Sequence, residues 1–133
     1  MRGFRWRDML VIRREQMDVL NERLMQNYVR RLAATLIRRR PEKFPAGERD
    51  AIAFVERNIP VALDYGITAE YHVALFMAFL IAHGEDFASR PKYQWAVDIL
   101  RDPEGTGNDR MQRLNAWLRA LSVEQARRAK AAR

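Results

Sequence analysis

The chain has 133 residues, of which 48% are hydrophobic and 31% are charged, and its net charge is +7. This length is typical of a single domain, and the composition is neither that of a disordered chain nor that of a membrane protein. The absence of cysteine excludes thiolate catalysis, cysteine-based zinc sites and iron–sulfur clusters. We therefore expect a soluble globular domain with one hydrophobic core.

The excess positive charge lies at the two ends of the chain. Residues 1–14 carry a net charge of +4 and residues 123–133 one of +3, whereas residues 15–122 are balanced. A protein that binds a nucleic-acid backbone needs cations positioned on its folded domain. This distribution therefore favours the interpretation that the charged ends increase solubility. We divide the chain into a basic N-terminal arm (1–8), a helical domain (9–122) and a basic C-terminal tail (123–133).

Two helices are predicted in the first half of the chain. Apolar residues at spacings of three and four indicate a long amphipathic helix over 15–40, which Pro41 ends. A second helix should begin near Gly47 and end at Gly66, because glycine favours the backbone conformation that terminates helices. Since Pro60 lies inside this pattern, we expect either a kink or two abutting segments.

The most apolar stretch, 71–83, predicts a central helix buried on nearly all sides, with Thr68 as its N-cap. This stretch is too short to span a membrane as a helix. A polar loop should follow over 84–93 and lead to a short helix that begins near Trp95.

A fifth helix is predicted after the break at 102–107, with Asn108 as its N-cap. Its inward face is expected to hold Met111, Leu114, Trp117, Leu118 and Leu121. Ser122 and Gln125 weakly match a capping box, which would begin a separate, frayed helix at the C-terminus. Since 10–12 is the only extended candidate, the predicted fold is all-α, a single-domain bundle of about five helices around the buried central helix.

The titratable residues form no recognisable catalytic constellation. His72 and His83 would lie about 16 Å apart along one helix, too far to share a metal ion. Two pairs of carboxylates are close in sequence, Glu85 with Asp86 and Asp98 with Asp102. Closeness in sequence does not place two carboxylates in one cleft. We therefore predict no catalytic residue, no metal site and no cofactor, and hence no enzyme.

Three aromatic residues cluster around one loop and the helix after it: Phe87, Tyr93 and Trp95. Because Tyr and Trp are enriched at protein interfaces, we predict that these three side chains contact a protein partner. Replacing Phe87 and Trp95 by alanine should then weaken partner capture while the fold survives. Phe4 and Trp6 lie in the basic arm, where they either meet a partner or fold back on the domain.

No secretory signal is predicted. The apolar run at 9–12 has only four residues, which is shorter than the hydrophobic region of a signal peptide. We therefore expect a cytoplasmic protein, with Met9 as an alternative start.

Several short segments, taken in order, resemble one group of bacterial proteins. The segments are 9–17 (MLVIRREQM), 65–68 (YGIT), 84–87 (GEDF), 95–96 (WA), 99–103 (ILRDP) and 110–114 (RMQRL). Their pattern, which runs over most of residues 9–121, is similar to that of small all-α proteins encoded beside type VI secretion spike and effector genes. The resemblance implies a cytoplasmic accessory or adaptor that binds a secretion adaptor, spike or effector protein. The resemblance implies no catalytic residue in this chain.

Three other functions fit the same sequence. An immunity protein that binds a toxic effector would have the same helical, non-catalytic character. A nucleic-acid-binding protein would use the arginine-rich ends and would lose affinity steeply with salt. A small helical hydrolase is the third alternative, and it would need a cleft that holds a base with a shifted pKa.

Overall fold

A computed structural model describes the backbone of residues 14–132 and the side-chain surroundings of residues 22–132. Within these residues the fold is all-α and contains no strand, as the sequence predicts. The five helices are α1 (Arg14–Arg39), α2 (Glu48–Asp64), α3 (Glu70–His83), α4 (Gln94–Arg101) and α5 (Gly107–Ala131). Three short 3-10 turns lie at Pro41–Lys43, Phe87–Ser89 and Pro91–Tyr93. The predictions made for Phe4, Trp6, Met9 and 10–12 concern residues outside the described ones.

Helices α1 and α2 pack against each other. The side of α1 that faces the core carries Met25, Val29, Leu32, Ala33 and Leu36. Helix α2 is one uninterrupted helix that contains Pro60, so the alternative of two abutting segments is wrong. Val55 and Ile59 before the proline and Ala62 after it are buried. This packing on both sides holds the helix together although the proline cannot donate a backbone hydrogen bond.

Helix α3 contacts both α2 and α5 and is the most apolar helix of the bundle. Its buried residues are Val73, Phe76, Met77, Phe79, Leu80 and Ile81. Tyr71 at its N-terminal end is exposed, so the helix is central without being covered on all sides. The prediction that Thr68 caps this helix is wrong. Ala69, which has no side-chain acceptor, occupies the N-cap position, and Asn108 of α5 accepts hydrogen bonds from the backbone N–H groups of Thr68 and Ala69.

The loop between α3 and α4 folds back over the core, whereas its composition predicted a polar surface loop. Gly84 ends α3 with a φ of +106°, a conformation that other residues rarely adopt. Two 3-10 turns then carry Phe87 and Tyr93 into the interior. Helix α4, which follows directly, has only eight residues and buries Ala96 and Leu100.

Thr106, rather than the predicted Asn108, is the N-cap of α5. Its hydroxyl oxygen accepts a hydrogen bond from the backbone N–H of Asp109 at 3.1 Å, and the Asp109 carboxylate accepts one from the backbone N–H of Thr106 at 3.0 Å. This reciprocal pair is a capping box. The hydrogen bonds from Thr106 lower the pKa of the Asp109 carboxyl, which keeps it ionised beside the positive end of the helix.

Arg110 fixes the start of α5 to three separate parts of the chain. Its guanidinium donates hydrogen bonds to the backbone carbonyls of Tyr65 at 3.1 Å, Leu100 at 2.8 Å and Gly105 at 3.0 Å. These carbonyls lie at the C-terminal ends of α2 and α4 and in the loop before α5. The first turn of α5 is therefore held against both helix ends.

Helix α5 extends beyond the helices that it packs against. Met111 and Leu114 are buried, but Trp117 is 49% exposed and Leu121 is 38% exposed, so the prediction that these two lie in the core is wrong. Helix α4, at about 12 Å, covers only part of α5, which is about 37 Å long. The helix also runs through Ser122 without a break, so the separate terminal helix is wrong.

Candidate functional site

Phe87 lies in the hydrophobic core, where only 1% of its surface is exposed. Its ring packs edge to face on Phe79, with centroids 4.9 Å apart, and it also contacts Phe76 and Tyr65. The reversal of the chain at Gly84 brings the ring back over α3. A side chain in this position cannot touch a partner, so the contact predicted for Phe87 is not available in this fold.

Tyr93 is also structural, with 8% of its surface exposed. Its hydroxyl contacts Nδ1 of His83 at 3.0 Å, and the guanidinium of Arg90 covers its ring at 4.9 Å from the centroid. Arg90 donates a second contact, a hydrogen bond to the carbonyl of His83. Burial and the positive charges of Lys92 and Arg90 lower the pKa of His83, so its imidazole is neutral at pH 7. These contacts close the loop between α3 and α4.

Trp95, the third aromatic residue predicted to contact a partner, is half-buried and borders the surface. Its indole meets that of Trp117 edge to face, with ring centroids 6.3 Å apart. Trp117 and Leu121 are one turn apart on α5 and therefore share a face of that helix. Together Trp95, Trp117 and Leu121 form an exposed apolar patch between α4 and α5, which we call the tryptophan surface.

From Arg119 onward, α5 carries an excess of positive charge. Residues 119–132 hold four cations, Arg119, Arg127, Arg128 and Lys130, against the single carboxylate of Glu124. Glu124 contacts Arg127 Nη1 at 3.5 Å and Arg128 Nε at 3.2 Å. The side chains of the two arginines are 74% and 80% exposed, so most of their donors still face solvent.

A groove of about 320 Å³ lies between the turn after α1, helix α2 and the end of α3. Two of its charged groups, Arg57 and Glu85, bind each other. Arg57 donates two hydrogen bonds to the carboxylate of Glu85, at 2.9 and 2.8 Å, and the buried Asn58 donates a third at 2.8 Å. These donors, Arg57 foremost, lower the pKa of Glu85, so this carboxylate is a poor proton acceptor. The network joins α2 to the end of α3.

The other residues considered as candidate acids, bases or ligands are held apart in local contacts. His72 Nε2 lies 3.2 Å from Gln112 Oε1, whereas His83 at the other end of α3 contacts Tyr93. Asp98 accepts a hydrogen bond from Gln94, Asp102 from the backbone of Glu104, and Asp86 pairs with Arg90. Among the side chains of residues 22–132, no three His, Asp or Glu residues converge in a way that would hold a metal ion. The residues named in this paragraph are thus engaged in local contacts.

Sequence reasoning missed Trp117 and Leu121 as surface residues because their spacing continues the buried stripe of α5. One signal was present in the sequence: the next positions on that face are Gln125 and Arg128, which are polar. The change from apolar to polar along one face marks the region where the packed part of the helix ends.

No family model, curated protein or solved structure matches this chain. None of the helices that the structure describes combines the length and the apolar character needed to cross a bilayer. The tryptophan surface is thus the feature on which a functional hypothesis can be built.

Proposed function

We propose that this chain is a non-enzymatic protein-interaction module, a cytoplasmic accessory or adaptor that assists effector loading in type VI secretion. The proposal is supported by one observation above all, the tryptophan surface. Trp is among the residue types that contribute most to the binding energy of protein interfaces. Trp117 is held at the surface by a helix whose start is fixed by Arg110, so the anchor is presented in a defined position. The secretion role comes from the resemblance of the short segments described above.

Capture of partners from the native cell tests this function. The tagged full-length chain is used as bait at low and at high salt, with mass spectrometry of the recovered proteins. We expect recovery of a secretion adaptor, a spike protein or an effector at both salt concentrations, because apolar contacts are weakly screened by ions. Recovery of nucleic acid alone, lost at high salt, would instead place the function in the basic ends.

Two variants connect the recovered partner to the tryptophan surface. Trp117→Ala should reduce recovery by about tenfold, the loss typical of a central interface anchor. Tyr71→Ala is the matched control, since Tyr71 is an exposed aromatic residue on α3 that is not part of this surface. Recovery of a single toxic effector, together with protection of cells that co-express the chain, would favour the immunity function over the accessory function.

A further inference from the structure

The face of α5 that carries the tryptophan surface continues into charged residues. Glu124 lies seven residues after Trp117 and Arg128 seven residues after Leu121, so each pair shares a face two turns apart. Arg127 flanks the same face. This face of α5 therefore presents the apolar anchors Trp117 and Leu121 first, and the arginine pair, Arg127 and Arg128, about two turns further along the helix.

Glu124 leaves most donors of the arginine pair available to an anion. It contacts Arg128 at Nε and Arg127 at Nη1, so each guanidinium keeps further N–H donors facing solvent. A guanidinium binds a carboxylate best through two parallel hydrogen bonds. Residues 117–132, which we call the α5 extension, thus offer donors for carboxylates one to two turns beyond the apolar anchors Trp117 and Leu121.

From this arrangement we infer that the partner of the α5 extension is an acidic amphipathic helix, an inference that rests on the proposed protein-binding function. The apolar face of the partner packs against Trp95, Trp117 and Leu121. Its Asp or Glu residues, one to two turns away, bind Arg127 and Arg128. Helix-in-groove recognition uses the same periodicity of anchors on both partners.

The charge of the extension favours this occupant over the others that the chain offers. Two copies packed through the extension would bring four cations against four cations, with one carboxylate on each side. The N-terminal arm has the same sign of charge as the extension and would be repelled. A nucleic-acid backbone would satisfy the arginine pair but would leave the aliphatic side chain of Leu121 without an apolar partner.

A synthetic peptide tests the inference on the full-length protein. The probe is a fluorescein-labelled peptide of about five helical turns, with leucines on one face and glutamates on the others. Its binding is followed by fluorescence anisotropy, and the same peptide with lysine in place of glutamate is the charge control. We expect the acidic peptide to bind at least about tenfold more tightly than the basic one.

Four variants separate the two parts of the surface. Trp117→Ala and Leu121→Ala should each weaken binding of the acidic peptide about tenfold, with the circular dichroism of the helix unchanged. Replacing Arg127 and Arg128 together by glutamine should weaken binding at low salt and flatten its salt dependence. Val123→Ala is the matched control for the two apolar anchors, because Val123 is 65% exposed and lies on a different face of α5 from Trp117 and Leu121, and it should leave binding unchanged.

Several results would overturn the inference. They are equal binding of the acidic and basic peptides, tighter binding of a short DNA duplex than of the acidic peptide, or a dimer in sedimentation experiments that Leu121→Ala dissociates. If the acidic peptide fails to bind while Trp117→Ala still abolishes capture of a native protein, the inference is wrong but the protein-binding function stands. If neither the peptide nor any native protein depends on Trp117, both proposals fail.

Discussion

Asn108 is a residue of α5, yet it caps α3 through Thr68. Its side-chain Oδ1 accepts hydrogen bonds from the backbone N–H groups of Thr68 at 2.9 Å and Ala69 at 3.0 Å. Its Nδ2 donates to the hydroxyl of Thr68 at 3.0 Å. One amide therefore satisfies donors at the start of α3 and ties that helix to the first turn of α5, which carries Trp117 and Leu121 of the tryptophan surface further along.

Replacing Asn108 by alanine should destabilise the protein by about 1–2 kcal/mol, because the two backbone donors at the start of α3 lose their acceptor. Asn108→Asp should cost less, since a carboxylate oxygen can accept both bonds. The free energy of unfolding from urea titrations followed by circular dichroism gives these values. Asn115→Ala, two turns further along α5, is the control and should change stability by less than about 0.5 kcal/mol. Equal effects at both positions would show that the cap is unimportant.

Gly107 is required where α5 begins, because the backbone of the α2–α3 turn lies against it. A Cβ atom at this position would overlap the backbone of Gly66 and the carbonyl oxygen of Tyr65. Gly107→Ala should therefore cost about 3 kcal/mol or more, although alanine is the better helix former by about 1 kcal/mol. Thermal unfolding would measure the loss.

Gly47→Ala is the matched control for Gly107→Ala. Gly47 has φ +69° and ψ −133°, a conformation that is rare for other residues, but a Cβ atom there would meet nothing within 4 Å, so alanine should cost only the backbone strain, about 1–3 kcal/mol. A larger loss at Gly47 than at Gly107 would contradict the close approach of α5 to the α2–α3 turn.

The network of Arg57, Asn58 and Glu85 should make stability depend on pH. Its donors lower the pKa of Glu85 in the folded state below the ordinary value of 4.5, so ionised Glu85 stabilises the fold above that value. This contribution is lost as the pH falls through the lowered pKa. Glu85→Gln should therefore cost about 1 kcal/mol at pH 7, and the difference from the unaltered protein should shrink as the pH falls below 4.5.

Urea titrations at several pH values between neutral and acid test this dependence. Glu56→Gln is the control, because it removes another exposed carboxylate from α2 outside the network. A difference between Glu85→Gln and the unaltered protein that stays constant over the whole pH range would rule out the predicted role of the ionised carboxylate.

The order of the helices and the ends of the first three could be predicted because they depend on local features. The apolar spacing before Pro41 and the glycines at 66 and 84 act within a few residues, and α1, α2 and α3 end within two residues of these signals. The end of α5 was not predicted, because the helix continues through Ser122 to Ala131. The caps of α3 and α5 could not be predicted in the same way. Thr68 and Asn108 both have the residue type of an N-cap, but they bind each other across 40 positions of sequence.

The surface could be predicted only in part, for a geometric reason. Periodicity shows which residues share a face of α5, but the length of that face that is covered depends on α4. Because α4 has only eight residues, it does not fully cover Trp117 and Leu121, and both side chains remain partly exposed. Conversely, Phe87 follows a polar stretch and is buried only because Gly84 reverses the chain. The exposure of Trp117 and Leu121 and the burial of Phe87 both depend on how separate segments pack, which the periodicity of one segment does not show.

Phe87 should prove essential for stability rather than for direct binding. Phe87→Ala removes a ring that packs against Phe79, Phe76 and Tyr65, and it should cost about 3–5 kcal/mol. Phe87→Leu keeps most of the volume and should cost less than about 1.5 kcal/mol. Chemical unfolding gives both values, and Tyr71→Ala, which truncates an exposed ring, should change stability by less than about 0.5 kcal/mol.

Partner capture by Phe87→Leu then separates stability from binding. Because the leucine variant keeps the fold and Phe87 is buried, its capture of partners should equal that of the unaltered chain, whereas Trp117→Ala, at the surface, should lose capture without a comparable loss of stability. A stable Phe87→Leu variant that no longer captures its partner would mean that the loop between α3 and α4 opens on binding and exposes the ring. In that case the contact first predicted for Phe87 would be made in the complex, at the cost of breaking the Tyr93–His83 contact that closes the loop.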